Sequence, residues 1–187
     1  MITYVNVDHN NNLVYDAPER VYKKKELLNQ FEEFIKVEGF SLEWESNNCV
    51  PHVANIEKNG KKYTLVMYLK NITGAGWADK PHMKRVQVSN VRNDDMEKYI
   101  DTTNDQTILI IGYYNFDNNP LIVAWDAYRY VYHNTIRSCY VSIDNLQEAY
   151  RSGFAVTECS NQKIWVFKPN HFTEFLDNYI DSNKIGE

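Results

Sequence analysis

The spacing of hydrophobic and polar positions changes several times along the chain, and each spacing predicts a different element. Ile2–Val7 alternates between apolar and polar residues, which predicts a short strand. From Pro18 to Gly39, apolar residues recur at helical spacing, and a proline at the start with a glycine at the end is typical of helix boundaries. The apolar face of this predicted helix consists of Val21, Leu27, Leu28, Phe31, Phe34 and Ile35.

An Asn-Gly pair between two extended runs predicts a β-hairpin. Phe40–Glu45 comes first and alternates as a strand whose acids face solvent. Val53–Glu57 and Lys61–Lys70 then flank Asn59 and Gly60. This residue pair favours a tight two-residue turn because both positions tolerate positive φ, so we expect the two runs to pair.

A long loop and an alternating strand follow this hairpin. The loop, residues 71–82, contains Gly74, Gly76 and Trp77, and it is longer than a simple connection needs. Lys84–Asn90 then alternates with its valines on one side. The polar side chains expected on the other side are Arg85, Gln87 and Ser89.

A continuous apolar run predicts the central strand of a sheet. Thr107–Tyr114 contains no charged residue, which is typical of a strand that is buried on both faces. Leu121–Trp125 follows a turn-forming segment and is expected to be its hairpin partner. Before the central strand, Asp94–Ile100 predicts a short helix.

The last part of the chain contains further predicted strands and helices. Asp144 is expected to cap a helix that ends at Gly153, and Phe172–Ile180 is expected to form the last helix. The apolar face of the last helix consists of Phe172, Phe175, Leu176 and Tyr179. The predicted strands of this part are Ser138–Ile143, Phe154–Thr157 and Lys163–Phe167.

The order of these elements predicts an α+β fold. We expect a mixed, mostly antiparallel sheet with helices at both ends of the chain and one inserted helix. A chain of 187 residues suits a single domain. Within it we expect a strand and helix in residues 1–50, a sheet-rich core in residues 51–180, and the start of a polar linker in residues 181–187.

The charge of the chain is unevenly distributed. The whole chain has a net charge of −5, but the segment Lys58–Arg92 has eight lysines and arginines and the single acid Asp79, so it carries +7 and the remainder −12. A basic segment with aromatic residues suggests a surface for a polyanion such as nucleic acid. Solvated lysines at a sheet edge give the same composition, so both interpretations stay open on charge alone.

Composition excludes several classes of protein. The three cysteines are far apart and form no CxxC motif, which argues against a disulfide framework or a zinc site. The amino-terminal residues are polar rather than those of a signal peptide, and no apolar run is long enough to cross a bilayer. We therefore expect a cytoplasmic protein that does not contact a membrane.

The chain also lacks the clear signature of a nuclease. A restriction-like core needs carboxylates that hold Mg²⁺ beside a lysine, commonly as an acid two residues before it. Tyr68 occupies that position before Lys70, and Glu57 on the facing arm is the acid near it. We expect no catalytic residue, no metal and no cofactor in this chain, with a small Mg²⁺-dependent nuclease that uses Glu57 and Lys70 kept as an alternative.

From about Lys61 onward, the sequence resembles a family of bacterial defence modules. A run ending in KNIT, a loop, a KRVQV strand and an IGYY–VAWD hairpin are followed by a D-x-L-x-x-A helix and an IWVFKP segment. This order is similar to the N-terminal DNA-recognition modules of restriction systems, including type II and McrB-like, modification-dependent systems. The resemblance implies binding of double-stranded DNA at a specific or methylated site, with cleavage by another domain or subunit of a parent endonuclease active in phage defence.

The basic segment supplies the candidate DNA-binding residues. Lysines would contact phosphates, while an arginine, a glutamine and an asparagine on one strand would read base edges in the major groove. Trp77 would stack on a base or wedge the duplex, or it would only anchor the loop. The complete candidate set is Lys58, Lys61, Lys62, Lys70, Asn71, Thr73, Trp77, Lys84, Arg85, Gln87, Ser89 and Asn90, with a second basic patch of Arg129, His133 and Arg137.

Aromatic residues beside a carboxylate suggest a pocket for an extruded, modified base. The candidate pocket residues are Tyr113, Trp125, Asp126 and Tyr128, whose rings would stack on the base while the carboxylate accepts from an exocyclic amine. A tryptophan at a strand end is also a common core residue, so burial of Trp125 is the competing expectation. The acidic remainder of the chain supports a different function class, a protein-interaction or DNA-mimic module.

Overall fold

A computed structural model describes residues 4–88, 106–129, 137–159 and 161–184, with only the backbone described for Arg129, Cys159 and Lys184. The strands are β1 (Val5–Val7), β2 (Leu13–Tyr15), β3 (Ser41–Ser46), β4 (His52–Lys58), β5 (Lys61–Asn71), β6 (Thr73–Gly74), β7 (Met83–Val88), β8 (Gln106–Tyr114), β9 (Leu121–Asp126), β10 (Arg137–Ser142), β11 (Phe154–Cys159) and β12 (Gln162–Phe167). The helices are α1 (Lys24–Val37), α2 (Ile143–Ser152) and α3 (Phe172–Lys184).

A seven-stranded sheet with the order β11-β12-β9-β8-β5-β4-β3 forms the middle layer. Its pairs are antiparallel except for β5 with β8, which run parallel. β8 is the fourth strand from either edge, and its apolar run is buried, which confirms the prediction of a central strand at Thr107–Tyr114. The α+β class, with mostly antiparallel strands and helices near both ends, is also confirmed.

Each face of this sheet packs against a different layer because side chains alternate along a strand. On one face, α1 and α3 bury an aromatic cluster that includes Phe31, Phe167 and Phe175. On the other face lie α2, the β1–β2 ribbon and a three-stranded sheet of order β10-β7-β6. We call this second sheet, residues 73–74, 83–88 and 137–142, the small sheet.

Elements that depend on local interactions were predicted correctly. Asn59 and Gly60 both have positive φ, 53° and 79°, and join β4 to β5 as expected of an Asn-Gly hairpin turn. Gly153 ends α2 with a φ of 85°. The apolar face of the last helix is confirmed, since Phe172, Phe175, Leu176 and Tyr179 are all buried.

The first helix is shorter than the sequence pattern predicts. It begins at Lys24 rather than at Pro18, and Val21, which was expected on its apolar face, is 60% exposed. The preceding segment, residues 16–23, is an extended strap whose backbone groups pair with distant residues. The Arg20 N–H donates to the Asn115 carbonyl at 2.8 Å. The Tyr22 N–H, which a helix from Pro18 would use internally, donates to the Asn71 side chain at 2.9 Å.

Two further boundaries differ from expectation. The cap of α2 is Ser142, whose hydroxyl accepts from the Asn145 N–H at 3.3 Å, so Asp144 lies inside the first turn instead. Residues 181–184, expected to start a linker, continue α3.

The predicted helix at Asp94–Ile100 lies outside the described residues. None of the described helices has the length and apolar character needed to cross a membrane.

Candidate nucleic-acid interface

The small sheet brings several of the predicted residues into one row. Thr73 on β6 pairs with Arg85 on β7, and Arg85 pairs with Tyr140 on β10. Gln87 pairs with Ser138 in the next row. Residues that are directly opposite in antiparallel strands point to the same face, so these five side chains share one face of the small sheet.

The opposite face of the small sheet is part of the core. Val86 and Val88 on β7 and Val141 on β10 are buried against the central sheet. Because successive side chains on a strand alternate, the burial of the two valines directs Arg85 and Gln87 away from the core. The expected division of β7 into a valine face and a polar face is therefore confirmed for Arg85 and Gln87.

Lys84 lies on the core face of β7, which corrects the expectation that it contacts phosphates. Its side chain is fully buried and forms an ion pair with Glu19, itself almost fully buried on the strap. Burial lowers the pKa of Lys84, while the charge and hydrogen bond of Glu19 act in the opposite direction. The lysine therefore fixes the strap to the small sheet and is not available to a ligand.

The guanidinium of Arg85 has no acidic partner among the described residues. No carboxylate of those residues lies within 4 Å of it, and no described residue forms a hydrogen bond with it. Arg85 is half-buried and Gln87 is exposed. An arginine held on a strand without an internal partner keeps all its N–H donors for an external acceptor.

An aromatic stack borders the same face. The Trp77 ring lies on the Tyr140 ring with centroids 4.7 Å apart and planes at 28°. The ammonium of Lys80 lies 5.5 Å from the Trp77 ring centroid, which suits a cation–π contact. Trp77 is still 37% exposed, so it is anchored on the small sheet and also presents a ring surface to solvent.

The lysines of the β4–β5 hairpin are paired with acids. Lys58 donates to the Thr173 hydroxyl at 2.8 Å and lies 3.8 Å from the Glu38 carboxylate. Lys61 lies 3.1 Å from Asp177 on α3. Lys62 lies 3.6 Å from Glu57 on the neighbouring strand. Their positive charge is therefore largely compensated within the molecule.

These hairpin lysines are also far from the small sheet. β5 runs from Lys61 to Asn71, and at about 3.3 Å per residue its ends lie roughly 30 Å apart. Lys70 lies at the end nearer β6, without a carboxylate within 4 Å among the described residues. The basic segment of the sequence therefore divides between two ends of the molecule rather than forming one surface.

Asn71 has a structural role. Its carbonyl oxygen accepts from the Tyr22 N–H at 2.9 Å, and its amide donates to the Tyr22 carbonyl at 2.9 Å. These two bonds hold the strap on the end of β5. The side chain of Asn71 has both polar ends engaged and is not a candidate for reading DNA.

The four residues of the expected base pocket do not meet. Trp125 is fully buried on the face of the central sheet that carries the small sheet, and its indole N–H donates to the Tyr140 carbonyl at 3.0 Å. Tyr113 is buried on the opposite face, beside the helices. Asp126 accepts from the Tyr128 N–H at 3.1 Å. Trp125 is the core residue of the competing expectation, and it supports the small sheet from beneath.

The remaining predicted residues are only partly described. Arg137 is exposed at the start of β10, where it pairs with Val88. Ser89, Asn90 and His133 lie outside the described residues, and so does the side chain of Arg129.

The geometry does not suit the alternative of a nuclease that uses Glu57 and Lys70. Glu57 pairs with Lys62, so Lys70 lies eight residues further along β5, roughly 27 Å away at about 3.3 Å per residue. Within the described ranges, no three or more histidine, cysteine or acidic side chains gather as a metal site.

Sequence reasoning missed two members of the small-sheet face and one neighbour. Ser138 and Tyr140 lie on it because β10 pairs with β7, two strands almost fifty positions apart in sequence. No local pattern shows such a pairing. Lys80 belongs to the basic segment, but its position over Trp77 depends on the path of the loop.

The comparisons with known proteins give one match. A family model described as methylase-associated X1 matches residues 63–176. The matched range includes the small sheet, Trp77 and the central strands β8 and β9. No curated protein and no solved structure matches the chain.

Proposed function

The chain belongs to the methylase-associated X1 family, and from this premise we propose that it is a DNA-binding module acting beside a methylase in a restriction-modification system. The observation that carries the proposal is the guanidinium of Arg85, which lies in the central row of the small sheet and has no acidic partner among the described residues. Arginine is the side chain that most often recognises guanine in the major groove, through two parallel hydrogen bonds.

The dimensions of the small sheet suit a DNA groove. Neighbouring strands lie about 4.8 Å apart, so the row Thr73–Arg85–Tyr140 spans roughly 10 Å. The major groove is about 12 Å wide and admits strands as well as helices. In this arrangement Arg85 faces base edges, and Gln87, two residues along the same strand, faces the next base pairs.

The surrounding residues supply contacts that do not depend on sequence. Lys80, which lies over the Trp77 ring, would contact a phosphate, and so would Lys70 at the end of β5 nearer β6. Arg137 pairs with Val88 and therefore belongs to the valine face of the small sheet, so we do not include it in this surface. The exposed ring of Trp77 would stack on an unstacked or extruded base, with Tyr140 behind it as support. Because the four-residue base pocket does not form, Trp77 is the residue we assign to contact with a modified base.

A second candidate function is a protein-interaction module. It is supported by the acidic remainder of the chain and by the description of the family as associated with methylases. In this alternative the chain binds the enzyme rather than the DNA, and the small sheet is the docking surface. We place DNA binding first because an arginine that has no acidic partner in the described part of the chain, beside an exposed aromatic ring, suits nucleic acid directly.

Fluorescence anisotropy with labelled duplexes tests the proposal. The full chain is titrated into a pool of unmodified and methylated duplexes at two salt concentrations. We expect tighter binding to a subset of duplexes and weaker binding at higher salt, because phosphate contacts release counterions. Absence of binding to every duplex at low salt, with co-purification of a methylase, would establish the alternative.

The variant Arg85→Ala tests the recognition role within this assay. We expect it to weaken binding to the preferred duplex by about 1–3 kcal/mol and binding to random DNA by less. Arg151→Ala is the matched control, because Arg151 is exposed on α2 beside Glu148 and outside the small sheet. Equal loss on preferred and random DNA would remove Arg85 from the recognition role.

A further inference from the structure

A concave surface separate from the small sheet lies at the turn between β8 and β9, and no residue of the small sheet lines it. It is a cavity of about 350 Å³ where the turns after β1 and β8 meet α2 and the connection from β12 to α3. Its volume lies within the range of small-ligand sites. The residues that matter for its chemistry are His9, Pro120, Tyr150, Lys168, Pro169 and Asn170.

The polar side of the cavity carries nitrogen donors. His9 is held in place by the Asp117 carboxylate, which accepts from the backbone N–H of His9 at 2.8 Å and also contacts its ring atom Nδ1. Burial would raise the pKa of Asp117, but the hydrogen bonds of His9 hold it below the usual value, so this carboxylate is ionised. The other ring nitrogen of His9, Nε2, has no partner among the described residues.

Lys168 adds an uncompensated charge. No carboxylate of the described residues lies within 4 Å of its ammonium group. The Asn170 side chain is exposed at the same rim and also has no hydrogen-bond partner among those residues. Asp8, the other acid near this turn, is bonded to Asn12. The cavity therefore presents a lysine, an imidazole and an amide toward an anion.

The rest of the cavity wall is apolar. Pro120 and Pro169 provide rings without N–H groups. The Tyr150 hydroxyl donates to the Asn119 carbonyl at 2.7 Å, so it is engaged and the tyrosine ring forms part of the wall. A ligand with a flat ring can place that ring against this apolar wall while a charged group attached to the ring reaches the polar rim.

We propose that this cavity binds a small phosphate monoester carrying a flat ring. Its phosphate would accept hydrogen bonds from Lys168, His9 and Asn170, and its ring would lie against Pro120, Pro169 and Tyr150. The Lys168 ammonium forms charge-assisted hydrogen bonds with a phosphate, and a phosphate has enough oxygens to contact the His9 ring and the Asn170 amide at the same rim. This site does not depend on DNA binding by the small sheet.

Nuclear magnetic resonance titration of the full ¹⁵N-labelled chain with phenyl phosphate tests the site. We expect the amides of Asn119, Lys168 and Asn170 to shift, with weaker binding of inorganic phosphate, which lacks the ring, and of phenol, which lacks the charge. dAMP is titrated in parallel as a nucleotide carrying the same two groups. If neither phenyl phosphate nor dAMP shifts these amides, or if phenol shifts them equally, the proposal is overturned.

Two variants show whether Lys168 and His9 bind the phosphate. Lys168→Gln is expected to weaken phenyl phosphate binding by about tenfold, because it removes a charge-assisted hydrogen bond, and His9→Gln is expected to weaken it by about threefold, because it removes the imidazole from the rim. Lys25→Gln, at an exposed position on α1 outside the cavity, is the matched control and should bind as the parent chain does. Unchanged affinity in both rim variants would overturn the assignment. Arg85→Ala should leave phenyl phosphate binding intact, so failure of the DNA-binding proposal and failure of this one can be told apart.

Discussion

Lys84 and Arg85 are adjacent in the sequence and have opposite surroundings. One is buried and paired with Glu19, and the other faces outward without an acidic partner among the described residues. The alternation of β7 explains the difference in direction. It places Lys84 on the same face as Val86 and Val88. What the local pattern does not show is that a lysine there is buried, because the partner that makes a buried lysine tolerable, Glu19, is 65 residues away.

The Lys84–Glu19 pair leads to a prediction about stability. Lys84→Met leaves a buried carboxylate without a cation, and we expect the free energy of unfolding to fall by about 3–5 kcal/mol. The double variant Lys84→Met with Glu19→Leu removes both charges and should recover most of that loss. Urea unfolding followed by tryptophan fluorescence measures both. If the double variant loses as much unfolding free energy as the single variants Lys84→Met and Glu19→Leu lose together, this account of the pair is contradicted.

His52 leads to a prediction about pH. Its side chain is buried on β4, and burial, with smaller effects from Lys24 and Lys70, lowers its pKa from 6.5 to about 4. The unfolded chain therefore binds a proton at a higher pH than the folded chain, so stability falls as pH decreases from about 6.5 toward 4. Between pH 6.5 and 5 the loss from this residue should be about 2 kcal/mol.

The measurement for His52 is the free energy of unfolding at pH 7 and at pH 5. His52→Gln should show a clearly smaller difference between the two than the parent chain. His82→Gln, at an exposed position, serves as the control and should behave as the parent chain does. Equal pH dependence in all three chains would show that His52 does not titrate as proposed.

At the scale of elements, Gly112 shows how closely the central strand packs. A Cβ at this position on β8 would lie 2.6 Å and 2.7 Å from two carbon atoms of Ile72 and 2.9 Å from a ring carbon of Trp125. Gly112→Ala is therefore expected to lower the free energy of unfolding by about 1–3 kcal/mol through overpacking. Because Trp125 supports the small sheet, the strain would act beneath the candidate interface.

Thermal and urea unfolding of two alanine variants test this packing. Gly74→Ala is the control, since a Cβ there has its nearest neighbour at 4.0 Å and the residue does not have positive φ. It should change stability by less than about 0.5 kcal/mol. If Gly112→Ala leaves the free energy of unfolding unchanged, the strand shifts freely to accommodate the methyl group, contrary to the close packing described.

The elements that the sequence predicted well are those defined by nearby residues. The Asn59–Gly60 turn, the apolar run of β8 and the aromatic face of α3 each depend on a few consecutive positions. The strap was mistaken for the first turns of α1 because its hydrogen bonds go to Asn71 and Asn115, far along the chain. Hydrogen-bond partners at that distance are not visible in a local pattern.

The candidate site was only partly predictable for the same reason. Arg85 and Gln87 on one side of a strand followed from alternation alone. Their alignment with Thr73 and Tyr140 depends on the register of three strands. Lys84 is not part of the candidate site because it is buried against Glu19 of the strap. The hairpin lysines were misjudged because the acids that pair with them lie at the end of α1, on α3 and on β4.

At the scale of the whole molecule, the basic segment of the sequence is not one basic surface. The hairpin lysines lie at one end of β5 and are paired with acids. Arg85, which pairs with no acid within the described ranges, lies on the small sheet, beyond the other end of β5. A chain with a net charge of −5 can still bind DNA if its unpaired cations gather on one face.

The most direct test of this account compares DNA binding by two variants at the two ends of β5. Arg85→Ala alters the small sheet, and Lys61→Ala with Lys62→Ala alters the hairpin, where both lysines are exposed. The account predicts that Arg85→Ala weakens binding to the preferred duplex by about tenfold or more, while the hairpin variant stays within about threefold of the parent chain. The reverse order, with loss in the hairpin variant and none in Arg85→Ala, would contradict the assignment of the DNA-binding surface to the small sheet.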